Sequence, residues 1–101
     1  MAAPTEMNNH LIYLDAAGEQ HLTVKFRIQA IVWSSNSGAN LDLAADDDML
    51  LKDGAGNTIV GKRAEAAGDG LEMPFPGGRD VIGVDASVLD GGVLYIIGQA
   101  L

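Results

Sequence analysis

Strict alternation between apolar and polar residues, from Leu22 to Trp33, is the feature that most constrains the fold. Its even positions are apolar as far as Val32, and its odd positions begin with threonine, lysine, arginine and glutamine. Successive side chains of a β-strand point to opposite sides, so this pattern predicts a strand with one apolar and one wetted face. At Ile31 and Trp33 the second face also turns apolar. We therefore expect that end of the strand to be covered on both faces, by the chain itself or by a partner.

The length of this strand predicts a bend. At about 3.3 Å per residue it would span about 40 Å, roughly twice the usual strand. We expect a bulge that lets it serve two sheets of a sandwich. Turn-forming residues recur along the chain at intervals of about 8 to 16 residues, a spacing typical of sandwiches and barrels. The predicted fold class is all-β, a small antiparallel sandwich or barrel of about six to eight strands with little or no helix.

Two hairpins are predicted from local signals. The first joins a strand at residues 10–14 to the long strand through a turn in which Gly18 can adopt positive φ. The second joins strands on either side of Asp53–Asn57, where Asp-Gly and Gly-Asn pairs favour a tight turn. Residues 44–48 are compatible with one helical turn or a loop. Residues 1–8, which are small, polar and aperiodic, predict a flexible N-terminal arm on a single β domain, residues 9–101.

Later segments show two contrasting patterns. Leu71–Pro76 contains two prolines, which cannot donate to a ladder, so it is predicted to be an irregular crossing segment rather than a central strand. Asp80–Asp85 is expected to form a short strand. Val93–Ile97 is apolar at every position apart from its tyrosine, which predicts a strand near the middle of a sheet.

Composition excludes several classes of function. The 101 residues carry 14 acidic and 6 basic side chains, a net charge of −8 that disfavours nucleic acid as a partner. No apolar run approaches the roughly 20 residues of a membrane span, and the first ten residues lack the features of a signal peptide. The absence of cysteine fits synthesis in a reducing cytosol.

Acidic residues and two histidines are the only candidates for chemistry. Asp46–Asp48 and the segment Asp53–Asn57 have the composition of a calcium loop, but they lack its alternating start and its closing glutamate. A solvated loop and a hairpin turn need the same residues. His10 and His21 flank the first predicted hairpin without a standard metal-ligand spacing. No serine lies in a nucleophile elbow, so we expect no enzyme activity and no cofactor.

Four stretches together resemble a known class of proteins. They are the strand ending Ile31–Trp33, then Met49–Val60, Gly83–Asp85 and Leu89–Ile97. In this order they are similar to small β-rich structural proteins of tailed-bacteriophage virions, the class that decorates or cements capsids. The similarity covers roughly residues 22–98.

The resemblance implies a non-enzymatic virion protein, assembled in the cytoplasm of a bacterial host and present in many copies. The implied partners are the major capsid protein or other virion proteins, and further copies of the chain, with a trimer as the first expectation. The family offers no catalytic residues. The alternative is a carbohydrate- or receptor-binding sandwich on a phage tail or cell surface, which requires exposed aromatic side chains.

A partner interface is predicted where apolar residues depart from the main alternation. Aromatic residues and methionine are enriched at the centres of interfaces, and exposed apolar patches usually mark contacts. The alternative is that these residues cover the domain's own core. The predicted interface residues are Ile31, Trp33, Met73, Pro74, Phe75 and Pro76.

Overall fold

The computed structural model describes residues 6–7, 10–18, 20–35 and 43–101. These residues form seven strands and no helix. The described part of the chain therefore contains no helix long and apolar enough to span a membrane. The strands are β1 (Glu6–Met7), β2 (Leu11–Leu14), β3 (Gln20–Ser34), β4 (Asp48–Asp53), β5 (Thr58–Arg63), β6 (Leu71–Leu89) and β7 (Val93–Ala100). All pairings are antiparallel, in the order β1-β2-β7-β3-β6-β4-β5. The predicted all-β antiparallel class is confirmed.

One core lies on the inner face of this sheet. Six strands, β2 to β7, contribute to a single cluster of buried apolar side chains. β2 and β5 lie far apart in the strand order, so the sheet must curl over its own inner face to bring them into one cluster. The two end strands do not pair with each other in the described part of the chain, which leaves the sheet open. The largest buried side chains include Trp33, Phe26, Ile12, Leu14, Ile28 and Ile31.

β3 is the central strand, and it changes its inward face halfway along. Phe26 and Ile28 are buried before a bulge, and Ile31 and Trp33 are buried after it. Gln29 lies between them and has no partner in the described ladder with β7. One extra residue shifts a period-two pattern by one position, which reverses the faces. The predicted bulge is confirmed, but the expectation of one continuous apolar face was wrong, and β3 serves one sheet rather than two.

The predicted hairpin between β2 and β3 is wrong. In the described residues β2 pairs with β1 and β7, and β7 lies between β2 and β3. The physical reason is that β7 is apolar on both faces and takes a position with a neighbour on each side. The turn after β2 does contain Gly18 at φ 85°, and its N–H donates to the carbonyl of Ala86 in β6 at 2.8 Å.

The segment predicted to be irregular is part of a strand. Leu71–Pro74 pairs with the far end of β3, and it continues into the longest strand of the molecule. Among the described residues β4 pairs only with the later half of β6, so the part containing Pro74 is a free edge. A proline is tolerated at an edge because a missing donor there leaves no ladder partner unsatisfied. Gly77 and Gly78, both at φ 79°, belong to the stretch of β6 opposite Gln29 that has no partner in the β3–β6 ladder.

The β4–β5 hairpin is confirmed. Gly56 has φ 89°, and the Asp53 carboxylate accepts hydrogen bonds from the N–H groups of Ala55 at 3.0 Å and Asn57 at 2.9 Å. Before β4 the chain forms a turn in which Asp46 has φ 68°, which is incompatible with a helical turn. Within the predicted N-terminal arm, Glu6–Met7 pairs with β2, and the rest of residues 1–8 lies outside the described residues.

Candidate functional site

Ile31 and Trp33, two of the six predicted interface residues, lie in the domain's own core. Their side chains are 0% and 1% exposed, and the indole N–H of Trp33 donates to the carbonyl of Gly91 at 2.9 Å. The bulge in β3 is the cause, because it turns both residues inward. In this fold they offer no surface to a partner.

The other four predicted interface residues lie along the free edge of β6. Pro74 and Pro76 are exposed, Met73 is at the margin of exposure, and Phe75 is half-buried against the core. Their use by a partner stays a prediction. The structure brings Met73 beside the buried Ile31, its partner in the β3–β6 ladder, so this edge adjoins the core.

A larger apolar surface lies on the outer side of the same strands. Directly paired residues in neighbouring strands point to the same side of a sheet. Two rows of paired residues cross β2, β7 and β3 between the rows that build the core. These six residues, which we term the outer apolar face, are Leu11, Ile97 and Ala30 in one row and Tyr13, Tyr95 and Val32 in the next.

The outer apolar face is partly open to solvent and carries no ionisable group other than its two phenols. Ile97 is 40% exposed, and the other five side chains are half-buried. The rings of Tyr13 and Tyr95 meet edge to face, with their centroids 5.3 Å apart and their planes at 66°. On the β6 side each row ends in an exposed residue, Glu72 or Pro74. Pro74 thus joins this face to the predicted β6 edge.

The apolar residues on both faces of β7 and of the far end of β3 are the sequence signal for the outer apolar face, but they predicted burial instead of an open surface. The double apolarity of β7 predicted a strand buried on both faces, whereas Tyr95 and Ile97 point outward. At the far end of β3, both faces were expected to be covered. With the bulge in place, the residues on the second face are Ala30 and Val32. Which residues form the face depends on a register that the sequence pattern alone does not show.

A charged row borders the outer apolar face beyond the bulge. The guanidinium of Arg27 donates two hydrogen bonds to the Asp80 carboxylate, at 2.7 and 3.2 Å. This contact lowers the pKa of Asp80 and raises the pKa of Arg27. Further along, Lys25, Ile82 and Leu101 help to line an open hollow of about 340 Å³.

The carboxylates of the acidic turn and of the β4–β5 hairpin have partners within the chain. Asp47 accepts a hydrogen bond from the N–H of Ala44 at 2.8 Å, and Asp48 is bound by the Arg63 guanidinium, which lowers its pKa. The N–H of Asn57 holds the pKa of Asp53 below its usual range. No group of three or more potential ligands in the described residues is arranged to hold a metal ion. These side chains can close turns and pair strands.

The two histidines do not lie on either side of a hairpin. His10 is exposed and precedes β2, whereas His21 is half-buried in β3 and pairs with Val84 of β6. The carbonyl of His10 accepts a hydrogen bond from the N–H of Gly98 at 2.9 Å, so this residue adjoins β7 instead of β3. Their predicted positions flanking a hairpin depended on the pairing of β2 with β3, which does not form.

The outer apolar face is thus the strongest candidate for a functional surface, and it can bind apolar protein surface. Comparisons of the chain with protein-family models, with curated proteins and with solved structures find no match.

Proposed function

We propose that this chain is a non-enzymatic structural protein of a tailed-phage virion, a capsid decoration or cement protein. The observation that carries the proposal is the outer apolar face on the central strands. The assignment to a virion is supported by the resemblance of residues 22–98 to proteins of this class.

The outer apolar face favours an assembly role on energetic grounds. Each Å² of apolar surface removed from water contributes about 25 cal/mol, a gross gain that must exceed the free-energy cost of immobilising the two partners. Most antiparallel sheets with one solvated face present polar residues there, as Lys25 and Arg27 do in the first half of β3. A cement protein needs such a contact surface and needs no catalytic group.

The free edge of β6 extends the same surface. Pro74 lies in one row with Ala30 and Ile97, so it extends the outer apolar face onto the edge of β6, whereas Met73 belongs to the inner row of Ile31. Two surfaces that meet at a corner allow one copy to contact a shell and a neighbouring copy at once. Simultaneous contacts of this kind raise the total affinity without making either contact strong.

Co-sedimentation with capsids tests the proposal. Purified protein is mixed with shells of the phage whose genome carries the gene, and the pelleted fraction is measured. Ile97→Ser is expected to weaken binding at least 10-fold, whether the face contacts the shell directly or joins copies that bind together. The matched control is Leu22→Ser, at another exposed large apolar residue in a strand, 45% exposed and at the opposite end of β3 from the outer apolar face.

Two results would contradict the proposal. One is a wild-type protein that never pellets with shells, together with its absence from purified virions by mass spectrometry. The other is glycan-array binding that Tyr95→Ala abolishes, which would favour the carbohydrate-binding alternative. The ring pair of Tyr13 and Tyr95 is partly exposed, but its crossed planes do not form a flat platform for a sugar.

A further inference from the structure

We infer that the outer apolar face pairs with the same face of a second copy in a two-fold symmetric dimer. The inference rests on the proposed assembly role of this face and names its partner. A two-fold contact is self-complementary, because the same patch serves both copies. The face must therefore be compatible with itself in charge, in shape and in area.

Charge favours a second copy as the partner. Each chain carries a net charge of −8, so most approaches of two copies bring carboxylates together. The outer apolar face holds no carboxylate among its six residues, and the nearest acidic residue in its rows is Glu72 on the β6 side. A cationic partner would bind the acidic surfaces of the chain in preference to this neutral face. The surface that best complements a neutral apolar face is another neutral apolar face.

The shape of the face is also self-complementary. β7 presents large side chains, Tyr95 and Ile97, and β3 beside it presents the smaller Ala30 and Val32. A two-fold axis parallel to the strands and between β3 and β7 places the β7 ridge of each copy over the β3 depression of the other. Packing large residues against small ones across two facing sheets fills the space between them.

The area predicts a moderate affinity. Together with the β6 residues that end its two rows, the face spans four strands at about 4.8 Å spacing, roughly 19 Å, and the two rows cover about 250 Å². A stable dimer buries about 800 Å² on each partner, so flanking polar residues must take part. Gln99 and the pair of Arg27 and Asp80 form the next row on the same side. We expect a dimer with a dissociation constant on the order of micromolar.

Light scattering over a concentration series measures the dimer. The wild-type mass should rise toward twice the 10.5 kDa of one chain. Ile97→Ser should raise the dissociation constant at least 10-fold, and Leu22→Ser, at the opposite end of β3, should change it less than 3-fold. A monomer up to millimolar concentration, or a trimer, would overturn the inference, because a two-fold face pairs only two copies.

A thiol cross-link tests the same face independently. The chain contains no cysteine, so a single introduced thiol is unique. Ala30→Cys lies in the middle of the face, and Ser87→Cys is a matched exposed position of β6 outside it. A short bis-maleimide should join copies of Ala30→Cys in high yield and copies of Ser87→Cys in low yield. Equal yields would count against the face-to-face arrangement. Circular dichroism of each variant confirms that it is folded.

The failures of the two proposals are distinguishable. A dimer that never binds shells overturns the virion role and leaves the face-to-face pairing in place. A strict monomer that pellets with shells overturns the pairing and leaves the virion role in place.

Discussion

Gly54 and Gly56 lie in the same turn for different physical reasons. Gly56 has φ 89°, and no described atom lies within 4 Å of the position where a Cβ would be. At Gly54 a Cβ would lie 2.6 Å from the carbonyl oxygen of Leu22 and 2.7 Å from that of Ile82. Its N–H donates to the same Ile82 carbonyl at 2.9 Å. The first position requires a backbone conformation, and the second requires the absence of a side chain.

Asparagine substitutions should separate these two requirements. Asparagine tolerates the left-handed region, so Gly56→Asn should change the free energy of unfolding by less than about 1 kcal/mol, whereas Gly56→Val should cost about 1 to 2 kcal/mol. At Gly54 both substitutions should be destabilising, because any Cβ meets backbone oxygen. Urea denaturation of the four variants measures this. A Gly54→Asn variant as stable as Gly56→Asn would contradict the close approach.

Trp33 provides a direct check on the interior. It is the only tryptophan of the chain, so intrinsic fluorescence reports its environment alone. We expect emission at short wavelength and weak quenching by iodide in the folded protein, with a red shift on unfolding. Trp33→Phe removes the donor to the Gly91 carbonyl and leaves a small cavity, which should cost about 1 to 3 kcal/mol. Strong iodide quenching of the folded protein would support the predicted interface role of Trp33 instead.

At the scale of the strand, a single residue decides which side chains of β3 face the core. Gln29 is exposed, and its position in the ladder matters more than its side chain. In a regular ladder that kept Gln29 without a bulge, the pattern set by Phe26 and Ile28 would continue and turn Trp33 outward.

Deletion of Gln29 and deletion of Val32 should therefore differ sharply. Removing Gln29 takes out the residue without a β7 partner and leaves Ile31 and Trp33 facing inward in regular alternation, so it should cost less than about 2 kcal/mol. Removing Val32 makes Ile31 and Trp33 adjacent, so one of them must leave the core, which should unfold the protein or cost more than about 4 kcal/mol. Thermal melting of both variants tests this, and similar melting temperatures would show that the bulge does not determine the inward face.

Local features of the strands were predictable from sequence, and the pairing between distant strands was not. The β4–β5 hairpin depends on residues within a few positions of Asp53–Asn57, so its turn chemistry is visible locally. The position of β7 between β2 and β3 joins residues 59 to 86 positions apart, and no local signal encodes it. The outer apolar face depends on both that position and the bulge. The bulge is also the reason why the sequence pattern wrongly suggested an interface position for Trp33, whose side chain it turns into the core.

For the molecule as a whole, four aspartates link stability to pH. A hydrogen bond lowers the pKa of each of these carboxyl groups. The donor is the guanidinium of Arg63 for Asp48 and that of Arg27 for Asp80. It is the backbone N–H of Asn57 for Asp53 and that of Glu65 for Asp69. A carboxyl with a lower pKa in the folded state stabilises the fold above its unfolded pKa. That contribution is lost as the pH falls through the folded pKa.

With these four aspartates, the free energy of unfolding should stay unchanged between pH 7 and about pH 5 and fall from about pH 4 downward, as the carboxylates become protonated. The urea midpoint between pH 6 and pH 2 measures this effect. Asp53→Asn should lower the midpoint at pH 6 and make the acid decline shallower. Glu72→Gln removes a negative charge elsewhere and controls for the general relief of repulsion. Identical pH profiles for the two variants would contradict the assigned stabilising role of Asp53.

The pairing of β3 also affects the order of events during synthesis. β3 bonds only to β6 and β7 in the described ladder, and β2 depends on β7 as well. The first half of the chain therefore emerges from the ribosome before its partners exist, with the apolar residues of β3 exposed to solvent. Among the described strands, the short β1–β2 pair and the β4–β5 hairpin can close before β6 is made. The sheet must wait for residues 93–100, so the nascent chain stays open to chaperones until translation has passed β7.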